Sequence, residues 1–416
     1  MWGAVAPHDP LSLASCEGIL RATRTSDTSC RAIRAVDWTA KRNAMRDMRI
    51  LHIINSLDRG GAESNLARLC SATALCGVTN VVVTLKSGGV LRDRVARDAK
   101  VVSMSNVVEA LKLIRGRTES FDAVVGWMYL GCVVASGVTP SSVPVIWSIR
   151  HVPNAMAHES RSTRFSIGRL RGYCQPPSRR RPRLIITNSL AARDSHEALG
   201  LQGDYRVICN GVDVERFSPN RAVGLAFRRE LGIGDAEIMM LQVGRYHRHK
   251  GQELLLDGTI DLLRRRHDLQ LVLIGGGVKS IRHPLFADET LARRVHRLSD
   301  RDDLVPAYCA ADLLISPSLT ESFPTVVIEA MSCAVPCVVS DVGAAREIVG
   351  DTGEGVAAAS VGALSAGIER LIERSPNERR GLGAAARQRV LDRYAEQRMS
   401  AAFVDAYQSV ARQARS

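Results

Sequence analysis

Aromatic side chains are scarce in this 416-residue chain: four Trp, seven Tyr and seven Phe make up 4% of it. A dense stacking platform for nucleic-acid bases is therefore absent. The ten cysteines contain no Cys-x-x-Cys pair and are irregularly spaced. Cys333 and Cys337 lie close together, but no His/Cys pair with ligand spacing accompanies them, so neither a disulfide framework nor a zinc site is indicated. The chain reads as cytosolic, with reduced thiols. A signal peptide is also lacking, since the apolar run from Leu11 to Leu20 is broken by Ser12, Ser15, Glu17 and Gly18. An uncharged run from Ala123 to Ile149 has the length to cross a bilayer. Gly126, Gly131, Gly137, Pro140 and Pro144 interrupt it, and it divides into strand, short helix and strand, so no transmembrane helix is expected.

What is present is an ordinary globular balance, 45% hydrophobic and 24% charged, enough for two or three domains with sizeable cores. That balance excludes disorder, collagen and coiled coil as the dominant state. The net charge of +13 is uneven, with +2 in residues 1–47, +9 in 48–215 and +2 in 216–416. Much of the middle excess comes from eight arginines between Arg161 and Arg183, a stretch with no acid. Such a patch attracts phosphate on nucleic acid, on a lipid surface or on a lipid-linked substrate, or it is simply a solvated basic loop. A nucleic-acid partner is disfavoured, because only Phe165 and Tyr173 interleave the arginines.

Residues 1–47 show no sustained period and read as a poorly ordered extension. The strand-like ILHIINSL then follows Met48-Arg49, which suggests that the folded unit, and the natural chain, begin at Met48. Short apolar runs alternate with helical patterns from there: ILHIIN, NVVVTL, AVVGW, PVIWSI, LIITNS and YRVICNG. A second series follows Phe217-Ser218-Pro219, with IMMLQVG, LQLVLIGGG, LVPAYCAADLLISPS and AVPCVVSD as buried-strand candidates. Two sets of βα units predict an α/β protein of two doubly wound domains facing a cleft. The expected divisions are 48–215, 216–395, and a C-terminal helix, 396–416, crossing back to the first domain.

Four stretches could carry chemistry. Asp58-Arg59-Gly60-Gly61-Ala62-Glu63 follows the first strand and opens a helix, where paired glycines and free N–H groups suit an anion; a tight turn is the plainer explanation. No Gly-x-Gly-x-x-Gly stands there, which argues against a dinucleotide-binding dehydrogenase. Gly244-Arg245-Tyr246-His247-Arg248-His249-Lys250-Gly251 sets several cations at a strand's carboxyl end, where doubly wound folds bind ligands. Glu321-Ser322-Phe323-Pro324-Thr325 leads into the helical run VVIEAM, with Pro324 suited to the first helical position and Glu329 more than a turn inside. Two carboxylates could form a glycosidase-like acid/base pair, or Glu329 could be an ordinary helix residue. Finally, His151 closes Trp147-Ser148-Ile149-Arg150-His151, where a structural histidine is the commoner case.

Together these stretches resemble glycosyltransferase family 4, retaining sugar transferases of the GT-B fold that build bacterial polysaccharides and glycoconjugates. The likeness runs from about Met48 to the C-terminus and includes the GGAE loop, WMY at 127–129, WSIRH at 147–151 and NGVDVERFSP at 210–219. It continues through Gly244-Arg245, Lys250-Gly251, the Glu321/Glu329 pair and VVSDVGAAREIV. The resemblance implies a hexose-type sugar moved from a nucleoside-diphosphate donor, UDP favoured, to a glycan or lipid-diphosphate-linked acceptor. It implies that Arg245 and Lys250 hold the diphosphate, Glu329 the ribose hydroxyls, and Glu321 the transferred sugar. Gly60, Gly61, Gly244, Phe323, Pro324 and Thr325 would complete the donor site, with His151 beside the sugar. Attack on the leaving-group face, with the departing phosphate taking the proton, would require neither cofactor nor metal. Asp300-Arg301-Asp302 is accordingly read as a charged loop. The basic first domain fits an anionic acceptor at the cytoplasmic face of the inner membrane, with Arg161–Arg183 as the contact.

Three positions depart from the pattern: Leu130 stands where His is frequent, Ala334 where Gly is usual, and Gly275-Gly276-Gly277-Val278 replaces a Gly-Asp-Gly-Pro-like loop. The rival readings are a GT-B sugar-nucleotide epimerase, and a non-catalytic partner that binds a sugar nucleotide within an assembly complex.

Overall fold

The computed structural model describes residues 47–58, 60–104, 121–153, 159–175 and 182–415. Residues 1–46 of the 1–47 extension, Arg59, and Arg179, Arg180 and Arg181 of the basic stretch lie outside the described residues.

The first domain runs β1 (Arg49–Ile54), α1 (Gly61–Ala74), β2 (Thr79–Thr84), α2 (Arg92–Val95), β3 (Ala99–Ser103) and β4 (Ala123–Trp127). It continues with α3 (Met128–Val138), β5 (Val145–Ile149), α4 (Arg161–Cys174), β6 (Leu184–Thr187), α5 (Leu190–Ala198) and β7 (Tyr205–Val207). Its seven strands lie in the order β3-β2-β1-β4-β5-β6-β7, and every pairing is parallel. Every residue of β4, β5 and β6 is buried, as expected where helices cover both faces of a sheet.

The second domain contains α6 (Arg221–Leu231), β8 (Ile238–Val243), α7 (Gln252–Arg265), β9 (Leu269–Ile274), α8 (Glu289–Ala292), β10 (Val295–Leu298) and α9 (Val305–Ala310). It continues with β11 (Leu313–Ser316), α10 (Thr325–Ser332), β12 (Cys337–Ser340), α11 (Ala345–Val349), β13 (Glu354–Val356), α12 (Val361–Ile372) and α13 (Pro376–Arg393). The six strands follow the order β10-β9-β8-β11-β12-β13, again all parallel. Each sheet reverses its winding once, between β1 and β4 and between β8 and β11. The crevices at the carboxyl ends of those strand pairs are where such sheets take ligands.

The chain crosses between the domains twice. Val212 on the outgoing strand pairs with Ala395 on the returning one, through Val212 N to Tyr394 O and Glu396 N to Val212 O, both 2.9 Å. After that crossing α14 (Glu396–Arg415) lies on the first domain, with Phe403 stacked on Trp127 at 5.9 Å and Phe403, Tyr407 and Val410 inside the β1/β4 core.

Two details differ from the sequence reading. LVPAYCAADLLISPS is not one strand: Val305–Ala310 forms α9 and only Leu313–Ser316 pairs in the sheet, because Pro306 suits a first helical turn. The expected proline start of α10 also moves by one, Pro324 being the N-cap and Thr325 the first helical residue. Ala334 does adopt the left-handed conformation, with φ 61°. Alanine there costs about 1 kcal/mol relative to glycine.

Candidate functional site

At the second sheet's switch point two loops are locked together. Gly251 ends the loop after β8 with φ 66°, and a Cβ there would stand 2.1 Å from Pro317 O in the loop after β11. Only glycine permits that approach, and Leu319 N to His249 O (2.8 Å) ties the same two loops. The pairing brings Lys250 to Glu321, with Nζ donating to both carboxylate oxygens at 3.1 Å. Glu321 is fixed from behind by Gly343, whose φ of 56° lets its backbone lie against Glu321 O, where a Cβ would stand 2.1 Å away. Gln252, opening α7, donates its amide to Gly244 O and Arg245 O at 3.2 and 3.0 Å, shaping the loop under the exposed Arg245. Arg245 has no side-chain hydrogen bond among the described residues. Modest desolvation, then the positive charge of His249, Arg245 and Lys250, holds the His247 imidazole below its usual range, so the loop carries a positive field.

The first domain supplies the opposite wall. Gly60 caps α1, and the Glu63 side chain folds back over it, so that a Cβ on Gly60 would meet Glu63 Oε2 at 2.1 Å. Burial, and secondarily Asp58, pushes the Glu63 carboxyl above its usual range, although its own backbone amide pulls the other way. An acid over the N-terminus of a 14-residue helix occupies the place an anion would take. His151 lies 3.3 Å from Glu159 Oε1 through Nε2 and stands edge-on to Tyr129, with ring centroids 6.0 Å apart. Tyr129 OH in turn reaches His196 Nε2 at 2.9 Å. Leu130, where histidine was looked for, is 43% exposed and faces solvent.

Between the walls runs a cleft of about 440 Å³. Of the residues singled out in the sequence, Gly61, His151, Arg245, Lys250, Glu321, Phe323 and Thr325 line it. Gly60, Gly244 and Pro324 are not among its lining residues. Glu329 does not line the cleft: its Oε2 accepts from Tyr308 OH at 2.9 Å. It is half-buried by surface area yet enclosed by protein atoms, and desolvation raises its pKa against the opposing pull of Arg68, Tyr308 and Arg216. Asp300 accepts from Gly276 N at 2.9 Å and Arg301 pairs with Glu230, so this acidic loop is spent on local contacts.

Sequence reasoning missed the residues that tie the two walls. Asn210 Oδ1 accepts from Asn65 Nδ2 at 2.9 Å and from Arg150, while Asn210 Nδ2 reaches Phe323 O at 3.5 Å. Ser322 Oγ donates to Asn188 Oδ1 at 2.5 Å. The motif NGVDVERFSP pointed at Asn210, but no local pattern announced its partners. A second hollow, of about 460 Å³, opens by Val145, Arg183 and Asp204. It lies at the amino end of β5 and β6, the wrong end of a doubly wound sheet for a ligand, so position rather than size identifies the cleft.

Residues 225–389 match the family model "Glycosyl transferases group 1". Over 150 residues the chain is 38% identical to the D-inositol 3-phosphate glycosyltransferase of Corynebacterium jeikeium, covering 33% of this chain and 36% of that protein. With the corresponding protein of Corynebacterium urealyticum the identity is 31% over 240 residues, 51% of this chain and 54% of the relative. The chain thus spans about a third to a half of the length of these curated relatives. Among solved structures, Anabaena HepE in complex with UDP superimposes with a TM-score of 0.73 at 20% identity, covering 87% of this chain and 100% of that one. The fold is therefore GT-B, two Rossmann-like domains facing a cleft.

Proposed function

We propose that this protein is a retaining glycosyltransferase of family 4, moving a hexose-type sugar from a nucleoside-diphosphate donor, UDP favoured, to a glycan or lipid-linked acceptor of cell-surface polysaccharide or glycoconjugate synthesis. The observation that carries the reading is the pairing of Lys250 with Glu321 beside Arg245 at the second sheet's switch point, facing His151 across the cleft. The matched group 1 domain, the names of the relatives and the UDP-bound structural neighbour support it.

In this mechanism the donor diphosphate lies on Arg245 and Lys250, whose charges stabilise the leaving group as the glycosidic bond breaks. Glu321, released from Lys250, accepts from the hydroxyls of the transferred sugar. Glu329 reaches the ribose hydroxyls, for which it must exchange its hydrogen bond with Tyr308. The acceptor hydroxyl attacks from the leaving-group face and its proton passes to the departing phosphate, so no metal is called for.

A panel of UDP-, GDP- and ADP-sugars, followed by nucleoside diphosphate release with and without a lipid-linked acceptor extract, tests this reading. Release should require the acceptor and be lost in Glu329→Ala. Donor conversion without any acceptor would identify an epimerase, and binding without turnover a receptor.

No helix among the described residues is long and apolar enough to cross a membrane. A peripheral site is supported by α4, on which Arg161, Arg164, Arg169 and Arg171 are exposed together with Phe165, itself 68% exposed. The protein should float with vesicles containing anionic lipid and stay behind with neutral ones. Equal flotation, or none, would remove membrane attachment from the proposal.

A further inference from the structure

Arg150 follows β5 directly, precedes His151, and lines the same cleft. It is only 7% exposed. Its Nε and Nη2 both donate to Asn210 Oδ1, at 3.1 and 2.6 Å, and Nη2 also reaches Ile208 O at 3.0 Å. Nη1 is enclosed and has no hydrogen-bond partner. Phe403 of α14 lies 5.5 Å from the guanidinium carbon. Burial lowers the pKa to about 10, so the group is charged at neutral pH. Its charge is met by Cys209 and Tyr407, whose own pKa values are raised by burial, and by no carboxylate among the described residues.

Such a buried, uncompensated cation is costly, and an orphaned donor on it calls for an explanation. Arg294 and Arg379 are about as deeply buried, and each likewise has an enclosed Nε with no hydrogen-bond partner. They rest on carbonyls at the ends of helices, however: Arg294 on Leu263 O and Arg266 O after α7, Arg379 on Ile372 O and Arg374 O after α12. The negative ends of those helices compensate them. Arg150 has only a strand-end carbonyl and a neutral amide. Across the cleft Lys250 has Glu321, and Arg245 is exposed to solvent. Among the described residues, the cleft therefore contains one enclosed positive charge whose counter-charge is missing, on the same side as the Glu63-covered N-terminus of α1.

We propose that Arg150 is the first domain's anion anchor, with Nη1 taking a phosphoryl oxygen of a bound substrate. The inference deepens the transferase reading and takes the identity of the cleft from it. Room for the exchange exists at Asn210, whose single side-chain oxygen accepts three N–H groups with two lone pairs. If the guanidinium turns to bring Nη1 to the phosphate and gives up one of the Nε or Nη2 bonds to Asn210, that oxygen still accepts two N–H groups. The phosphoryl oxygen can belong to the donor's diphosphate or to a phosphorylated acceptor.

Calorimetry on the full chain separates these sources, using UDP, uridine, and inorganic pyrophosphate titrated into UDP-saturated protein. If the donor diphosphate is held, Arg150→Gln weakens UDP about tenfold and leaves uridine unchanged, and Arg150→Lys restores part of the loss. If the acceptor phosphate is held, UDP affinity is unchanged, while pyrophosphate binding to the UDP complex disappears in Arg150→Gln. Wild-type affinities for all three probes in the variant would overturn the proposal and leave Arg150 a packing residue. Should Arg150→Gln not fold, Arg150→Lys is judged by the same three titrations. A wild-type protein that binds no nucleotide would instead refute the transferase reading; pyrophosphate alone would then decide Arg150.

Discussion

Replacing Lys250 by alanine is expected to lower sugar transfer by about 10²–10³-fold, the usual loss when one preorganised donor to developing negative charge is removed. At rest the ammonium is held by both oxygens of Glu321, 3.1 Å away and 71 residues on in the chain. The pair is partly exposed, at 28% and 19%, so its own contribution to stability is small. On the proposed mechanism, the pair aims the lysine and neutralises it until a diphosphate arrives. Glu321→Gln should therefore act in two directions, tightening UDP binding by removing the internal competitor while reducing turnover. Steady-state kinetics alongside UDP calorimetry checks both variants. If Lys250→Ala transfers sugar within threefold of wild type, the cation is not part of the reacting centre. UDP binding that weakens in Glu321→Gln would show that the carboxylate holds the nucleotide rather than excluding it.

Acid should destabilise the first domain steeply, and two histidines supply the reason. His52, on β1, is fully buried, with Nδ1 accepting from Trp127 Nε1 and Nε2 donating to Asn80 Oδ1, both at 3.2 Å. His196, on α5, donates through Nδ1 to Ala192 O at 2.5 Å, leaving Nε2 to accept from Tyr129. Neither ring can take a second proton without setting N–H against N–H or O–H. Burial lowers both pKa values from 6.5 to about 4. Between those limits the unfolded chain binds protons that the folded one refuses, so stability is full above pH 6.5 and falls as the pH drops toward 4. Each histidine contributes about 3 kcal/mol of that fall at most. Half-buried carboxyls with raised pKa values, Glu63, Glu329 and Glu396, act in the opposite direction, so the comparison must be with a variant. Denaturant unfolding at pH 7.5, 5.5 and 4.5 should show a shallower acid slope in His52→Gln than in wild type. Identical slopes would mean that His52 titrates normally.

Several features of this protein are local in the chain and could be read there. The central strands are continuous apolar runs because helices cover both faces of each sheet, so AVVGW, LQLVLI and their like declare themselves. Edge strands such as AKVVS and EGV are only partly buried and carry no comparable run, which is why β3 and β13 were not anticipated. Cations and glycines of the loop after β8 were legible because one short segment must both turn and present charge.

Which residues meet was decided only by the tertiary structure. The Lys250–Glu321 pair depends on Gly251 closing against Pro317, and Glu321 is steadied by Gly343, contacts between loops that only the strand order brings together. Asn210 gathers Asn65, Arg150 and Phe323 from three separated segments, and Glu329 turns to Tyr308 rather than into the cleft. Local pattern reports backbone conformation and burial, which adjacent residues determine through sterics and periodicity. The counter-charge of a buried group comes from wherever the fold brings a partner, as it does for Lys250 and, within the described residues, does not for Arg150.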